Sequence, residues 1–252
     1  DVRERLGLAV AKPRRISLLT ASAEQRLPNR KLFWAYAAPY LAYAGIAGLP
    51  KEWLGTEANY ALRIAAVGAL LLLCRRRYVS LLGPKNPLGS ILSGALAGLL
   101  GCLLWILLLV PFAGGEAAQP WTGAAFWLRA AAAVLLVPFF EEMVMRGYVF
   151  RLAYQWDAAR KTGAEDPLGA ALEATVADVP PGGWSAAAVA VSTLVFTAGH
   201  QVREWPAAIV FGLLMALLWM RRKDLLSCIA AHAAANAALA LYVKVSGNYG
   251  LW

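Results

Sequence analysis

Residues 137–150 read VPFFEEMVMRGYVF. Two adjacent carboxylates, Glu141 and Glu142, and one guanidinium, Arg146, stand in a run of Val, Phe, Met and Tyr. The rest of the chain gives that run its meaning. It has 252 residues, of which 60% are hydrophobic and 15% charged. Its mean hydropathy is +0.55. Soluble domains run nearer half apolar and a quarter charged, so the composition predicts a multi-span membrane protein. A carboxylate in the middle of a membrane helix costs at least about 2.5–3.5 kcal/mol and faces the bundle interior or a wet cavity. The two glutamates are therefore candidate functional residues.

Working outward from this stretch, a bilayer core of about 30 Å needs roughly 20 helical residues. The apolar runs give about seven candidate spans, within a range of six to eight: 32–49, 60–74, 88–112, 124–155, 184–200, 206–220 and 225–243. The fold class expected is all-α, a polytopic membrane helix bundle. Gly94, Gly98 and Gly101 in the third span suit close helix packing in lipid. Three regions follow: a basic segment 1–31, membrane helices over 32–123, and a membrane core over 124–252. The core is interrupted by a polar insertion at 157–183, for which a short amphipathic helix and a solvated loop are equally compatible readings.

Lys and Arg set the orientation. The N-terminal segment holds Arg3, Arg5, Lys12, Arg14, Arg15, Arg26, Arg30 and Lys31. The 75–87 loop adds Arg75, Arg76, Arg77 and Lys85. The 151–183 segment adds Arg151, Arg160 and Lys161, and the 221–224 turn adds Arg221, Arg222 and Lys223. Only Lys51, Arg203 and Lys244 fall in the alternate loops. Seven spans with a cytoplasmic N-terminus reproduce this alternation. The net charge of +9 is then explained by topology and anionic lipid, and no nucleic-acid partner is needed. Cys74, Cys102 and Cys228 lie in apolar surroundings without CxxC spacing and read as packing residues. No cleavable signal peptide is expected, because residues 1–31 lack a compact apolar core. Arg63 and Arg129, near the outer ends of their helices, are expected to snorkel.

Glu142 and Arg146 are four apart, share a helix face and can pair. Glu141 is rotated by about 100° on an α-helix and is left without that partner. The two histidines of the chain also lie in apolar segments: LVFTAGH places Phe196 and His200 at i, i+4, and HAAAN places His232 and Asn236 likewise. A carboxylate desolvated among Phe and Val gains general-base strength. A histidine in reach can orient water or donate a proton. A second histidine with an Asn can donate hydrogen bonds to a developing oxyanion. The set suits water attack on an amide carbonyl. GxSxG and HExxH motifs are absent, and a 32-residue histidine spacing is no local zinc signature. The ligand types alone leave a Glu/His metal site open.

In order, EEMVMR (EExxxR), Phe196–His200 (FxxxH) and HAAAN (HxxxN) resemble the CAAX protease and bacteriocin-processing (CPBP, or Abi) family, which includes the type II CAAX prenyl endopeptidase. The resemblance covers roughly residues 124–243. It implies an all-helical glutamic intramembrane endopeptidase without a metal cofactor. In that reading Glu141 and His200 activate water, His232 and Asn236 form the oxyanion site, and Glu142 and Arg146, with Phe196, support the geometry. The substrate would be a membrane-anchored protein or peptide. The ending NAALALYVKVSGNYGLW is similar to CAAX-protease-related proteins of bacterial exosortase/PEP-CTERM sorting systems, which implies a bacterial inner-membrane location. Two other classes compete. One is a proton-relay transporter through Glu141, His200 and His232, although inverted repeats are absent. The other is a non-catalytic sorting or immunity partner that kept the fold.

Overall fold

The computed structural model describes residues 26–50, 52–110, 121 and 123–251. Every regular element among them is helical. The basic residues from Arg3 to Arg15, Lys51, and the last two residues of the third candidate span lie outside the described residues.

All seven apolar stretches form helices. They are α1 (Asn29–Ala47), α2 (Thr56–Cys74), α3 (Pro87–Leu109), α4 (Gly123–Lys161), α6 (Ala186–Ala198), α7 (Trp205–Arg222) and α8 (Leu225–Ser246). Five of them are long and apolar enough to cross a membrane: α2, α3, α4, α7 and α8. The chain is an integral, multi-pass membrane protein. The other two stretches fall short for simple reasons. α1 opens on Asn29, Arg30 and Lys31 and holds three tyrosines, which lower its hydropathy. α6 has 13 residues, about 20 Å of helix. In the 157–183 insertion the chain forms a short helix, α5 (Pro167–Glu173), capped by Asp166, whose side chain accepts from Gly169 N at 2.9 Å.

The glycine stripe packs as expected. A methyl built on Gly94 would overlap the Ser227 carbonyl, and one on Gly98 would overlap the Ala231 carbonyl. At Gly101 it would sit 2.7 Å from the Phe211 ring. α3 and α8 thus meet backbone to backbone, directly beside His232.

The basic loops gather at one end of the bundle. Arg222 donates to the Asn86 carbonyl at 3.1 Å and to Ser90 Oγ at 2.8 Å. Lys85 Nζ reaches the Arg221 carbonyl. Ser90 Oγ donates to Asp224 at 2.6 Å, and Asp224 caps α8 by accepting from Ser227 N at 2.7 Å. The Leu225 and Leu226 amides both donate to the Leu81 carbonyl, at 3.1 and 3.0 Å. Asn29 at the start of α1 donates to Gln155 at 2.7 Å and to the Ala171 carbonyl at 2.8 Å. Trp219 donates to the Gly183 carbonyl at 3.2 Å. The starts of α1, α3, α6 and α8 and the ends of α2, α4 and α7 therefore share this basic end. At the opposite end Arg129 donates to Tyr60 at 3.0 Å, and Lys244 lies 4.6 Å from the Phe126 ring centroid.

Candidate active site

α4 is a single helix with two widened turns. π-helical turns run over Ala132–Leu136 and Met143–Val149, and they flank the short α segment Val137–Glu142. Such bulges need a cause, and the first one has it in Pro138. Val137 donates its amide to Ala132, and Pro138 has no amide to give. The Ala133 carbonyl is thereby denied a partner from either position. Asn236 on α8 fills the gap, with Nδ2 donating to Ala133 O at 2.6 Å. One hydrogen of the Asn236 amide is committed to α4, and the other is available to the cavity that this side chain lines.

Glu142 and Arg146 form the expected pair. Arg146 Nη1 lies 3.3 Å from each Glu142 oxygen, with both side chains fully buried. Arg146 Nη2 donates to the Gly212 carbonyl at 3.0 Å, tying α4 to α7. His232 completes the group, its Nδ1 lying 3.2 Å from Glu142 Oε1. A carboxylate paired with Arg146 only accepts, so the hydrogen sits on Nδ1 and Nε2 faces the other way. It faces Glu141, whose Oε2 is 3.9 Å away. That is beyond a direct hydrogen bond, and a water about 2.8 Å from each atom fits beside the line joining them.

His200 lies just beyond the end of α6. Its Nδ1 is 2.9 Å from the Phe196 carbonyl, which fixes the hydrogen there and leaves Nε2 available. The Phe196 ring stands 4.6 Å from the His200 ring and 6.0 Å from that of Phe211, and Trp105 flanks His200 at 5.4 Å. Phe211 packs 5.5 Å from His232.

Glu141, His200, His232 and Asn236 all line one cavity of about 240 Å³, with Phe196 in its wall. Glu142 and Arg146 do not line it. They stand behind His232, which makes Glu142 a supporting group by position. Four of the residues picked out by the motifs thus meet at the cavity, although up to 95 residues separate them along the chain. The cavity wall also includes Trp105, Arg129, Glu204, Phe211 and Leu251, none of which the motifs mark. Arg129 had a sequence signal, a charge inside a span, and it faces the cavity as well as Tyr60 instead of only reaching for the interface. Among the described residues, no three His, Cys, Asp or Glu side chains are grouped to hold a metal ion.

A cavity with a polar base, walled mainly by membrane-length helices, places the chain among polytopic membrane proteins with an intramembrane polar site. Residues 123–238 match the family model described as Rce1-like, type II CAAX prenyl endopeptidase Rce1-like. That segment, just under half of the chain, is similar to the CAAX protease family. All three motifs lie inside the matched residues. No curated protein matches the chain, and no solved structure does.

Proposed function

We propose that the chain is an intramembrane endopeptidase that hydrolyses a peptide bond of a membrane-anchored protein or peptide. The observation that carries this is the single cavity holding Glu141, His200, His232 and Asn236, in a segment that matches a family of peptidases. Glu141 takes a proton from a water held beside it, and His200, with Nε2 available, orients that water. The hydroxide attacks the carbonyl carbon. Asn236, through its uncommitted Nδ2 hydrogen, stabilises the oxyanion, joined by His232 when its Nε2 also carries a proton. The C–N bond then breaks, the amine leaves with a proton returned from Glu141, and the carboxylic acid formed gives its own proton to water, leaving a carboxylate. Glu142 and Arg146 hold His232 from behind. This reading uses no metal. Two finer proposals, a bacterial inner-membrane location and service to an exosortase-type sorting system, rest on the resemblance of the C-terminal sequence.

The test is a pair of proteins, wild type and Glu141→Gln, in a native-like bilayer with candidate membrane-anchored substrates and fragments read by mass spectrometry. Cleavage that vanishes in Glu141→Gln and survives a chelator is the expected result. Cleavage lost to the chelator would turn the Glu/His set into a metal site. Equal fragment yields from both folded proteins would end the peptidase reading.

A further inference from the structure

The cavity has a direction, and five structural elements agree on it. On α4 the lining runs from Glu141 back through Val137 to Arg129, about 18 Å along the axis, with no lining residue beyond Glu141. On α8 it runs from His232 through Ala235 and Asn236 to Leu239, and nothing before His232 takes part. α3 contributes Gly101, Cys102 and Trp105 from its second half. Phe196 and His200 come from the end of α6, and Glu204 and Phe211 from the turn before α7 and its first half. Every one of these steps leads away from the basic end. Leu251, just past α8, completes the wall at the far end.

Toward the basic end the cavity is blind. Glu142, Arg146, Met143, Met215, Cys228, Trp219 and Phe150 are all at most 1% exposed. Below them Arg151 donates to the carbonyls of Val176 and Val179, at 3.0 and 3.3 Å. Glu141 and His232 therefore stand at the floor of a shaft. Two charged side chains, Arg129 and Glu204, stand in its outer wall.

The distribution of Lys and Arg places the basic end on the cytoplasmic side. We propose that the shaft opens to the opposite, translocated side of the membrane. Resting on the peptidase reading, its substrates are then anchored chains whose cleaved bond lies on or near the translocated face. The 157–183 insertion packs against α1, α4 and α7 at the closed end.

The native thiols provide a test that does not need activity. Cys102 lies in the shaft wall, and Thr162→Cys, at an exposed position after α4, marks the basic end. Sealed right-side-out and inside-out vesicles bearing the Thr162→Cys protein are treated with a membrane-impermeant cationic methanethiosulfonate, and adducts are located by mass spectrometry. The proposal expects Cys102 to react only in right-side-out vesicles and the marker only in inside-out ones. Cys102 reacting only from the marker's side, or from neither side, overturns it, as does a marker that reacts in right-side-out vesicles. A second arm presents one cleavable segment on either side of a single-span anchor. Cleavage of the translocated version alone supports the proposal, and cleavage of the cytoplasmic version overturns it. If the wild type cuts neither, the peptidase reading fails while the thiol result still decides the direction of the shaft.

Discussion

Arg146→Met isolates the energetics of the buried charge group. The wild-type guanidinium makes three contacts, to both Glu142 oxygens at 3.3 Å and to the Gly212 carbonyl at 3.0 Å. Methionine fills most of the volume and supplies none of them. Glu142, fully buried, keeps only His232 Nδ1 at 3.2 Å. Removing one member of a buried pair costs about 3–5 kcal/mol, because the surviving charge is stranded. The bilayer-inserted reference state finds partial partners, which favours the lower end of that range. For a chain of this size the loss corresponds to a fall of about 6–20 °C in the apparent melting midpoint. The double variant Glu142→Gln/Arg146→Met removes both charges and is expected to recover at least half of the fall. Thermal unfolding in lipid nanodiscs, followed by intrinsic tryptophan fluorescence, measures both. A single variant that melts within 2 °C or so of wild type, or a double variant as unstable as the single, would refute the reasoning.

Three more outcomes follow from named contacts. Gly98→Ala puts a methyl into the Ala231 carbonyl and is expected to lower the melting midpoint and displace His232, whereas Gly68→Ala, with nothing within 4 Å, is the near-neutral control in the same melt. His232→Asn can place its amide nitrogen near the Nδ1 position and keep the bond to Glu142. It should therefore retain most of the stability while cleavage falls by about 100-fold or more, and His232→Ala should lose both when assayed side by side. Asn236→Ala leaves the Ala133 carbonyl unpaired at a cost of about 1–3 kcal/mol. Because Pro138→Ala restores an amide at the bulge, the same substitution in that background is expected to cost less than half as much in a double-mutant melting cycle. Equal losses in both backgrounds would break the link between Pro138 and Asn236.

Much of this arrangement was legible in the chain because the bilayer enforces simple rules. Helices must satisfy their own backbone, so apolar runs mark them. Charges avoid lipid, so Glu141, Glu142, His200 and His232 mark the interior. The Gly94–Gly98–Gly101 stripe marked a backbone contact, and the structure shows its partners in Ser227, Ala231 and Phe211. What stayed hidden depends on distant partners. The first π turn of α4 follows from Pro138 together with an Asn 98 residues further on, and a local pattern shows only the proline. α6 is shorter than the apolar run that predicts it: the chain leaves the helix after Ala198, and His200 sits beyond its end. Whether 157–183 forms a loop or a helix was undecidable locally, because Asn29 from the far end of the chain pins it, through the Ala171 carbonyl and the Val176 amide at 2.8 and 2.7 Å. The cavity wall escaped for a similar reason, since Trp105, Phe211 and Leu251 look like any other apolar residue until helices from three regions of sequence converge.

The pairing of Glu142 with Arg146 has a consequence for biogenesis. Both partners belong to one helix, a single turn apart. As soon as α4 coils, the two charges can neutralise each other, before α7 or α8 has been synthesised. Lateral transfer of α4 from the translocon into lipid then carries no net charge from that pair, and the mid-helix penalty left is that of Glu141, about 2.5–3.5 kcal/mol. His232, the last of the group to emerge from the ribosome, arrives at a charge pair already seated in the membrane. The order of the motifs along the chain is therefore also an order of assembly: the membrane-compatible part comes first, and the reactive cavity closes around it at the end.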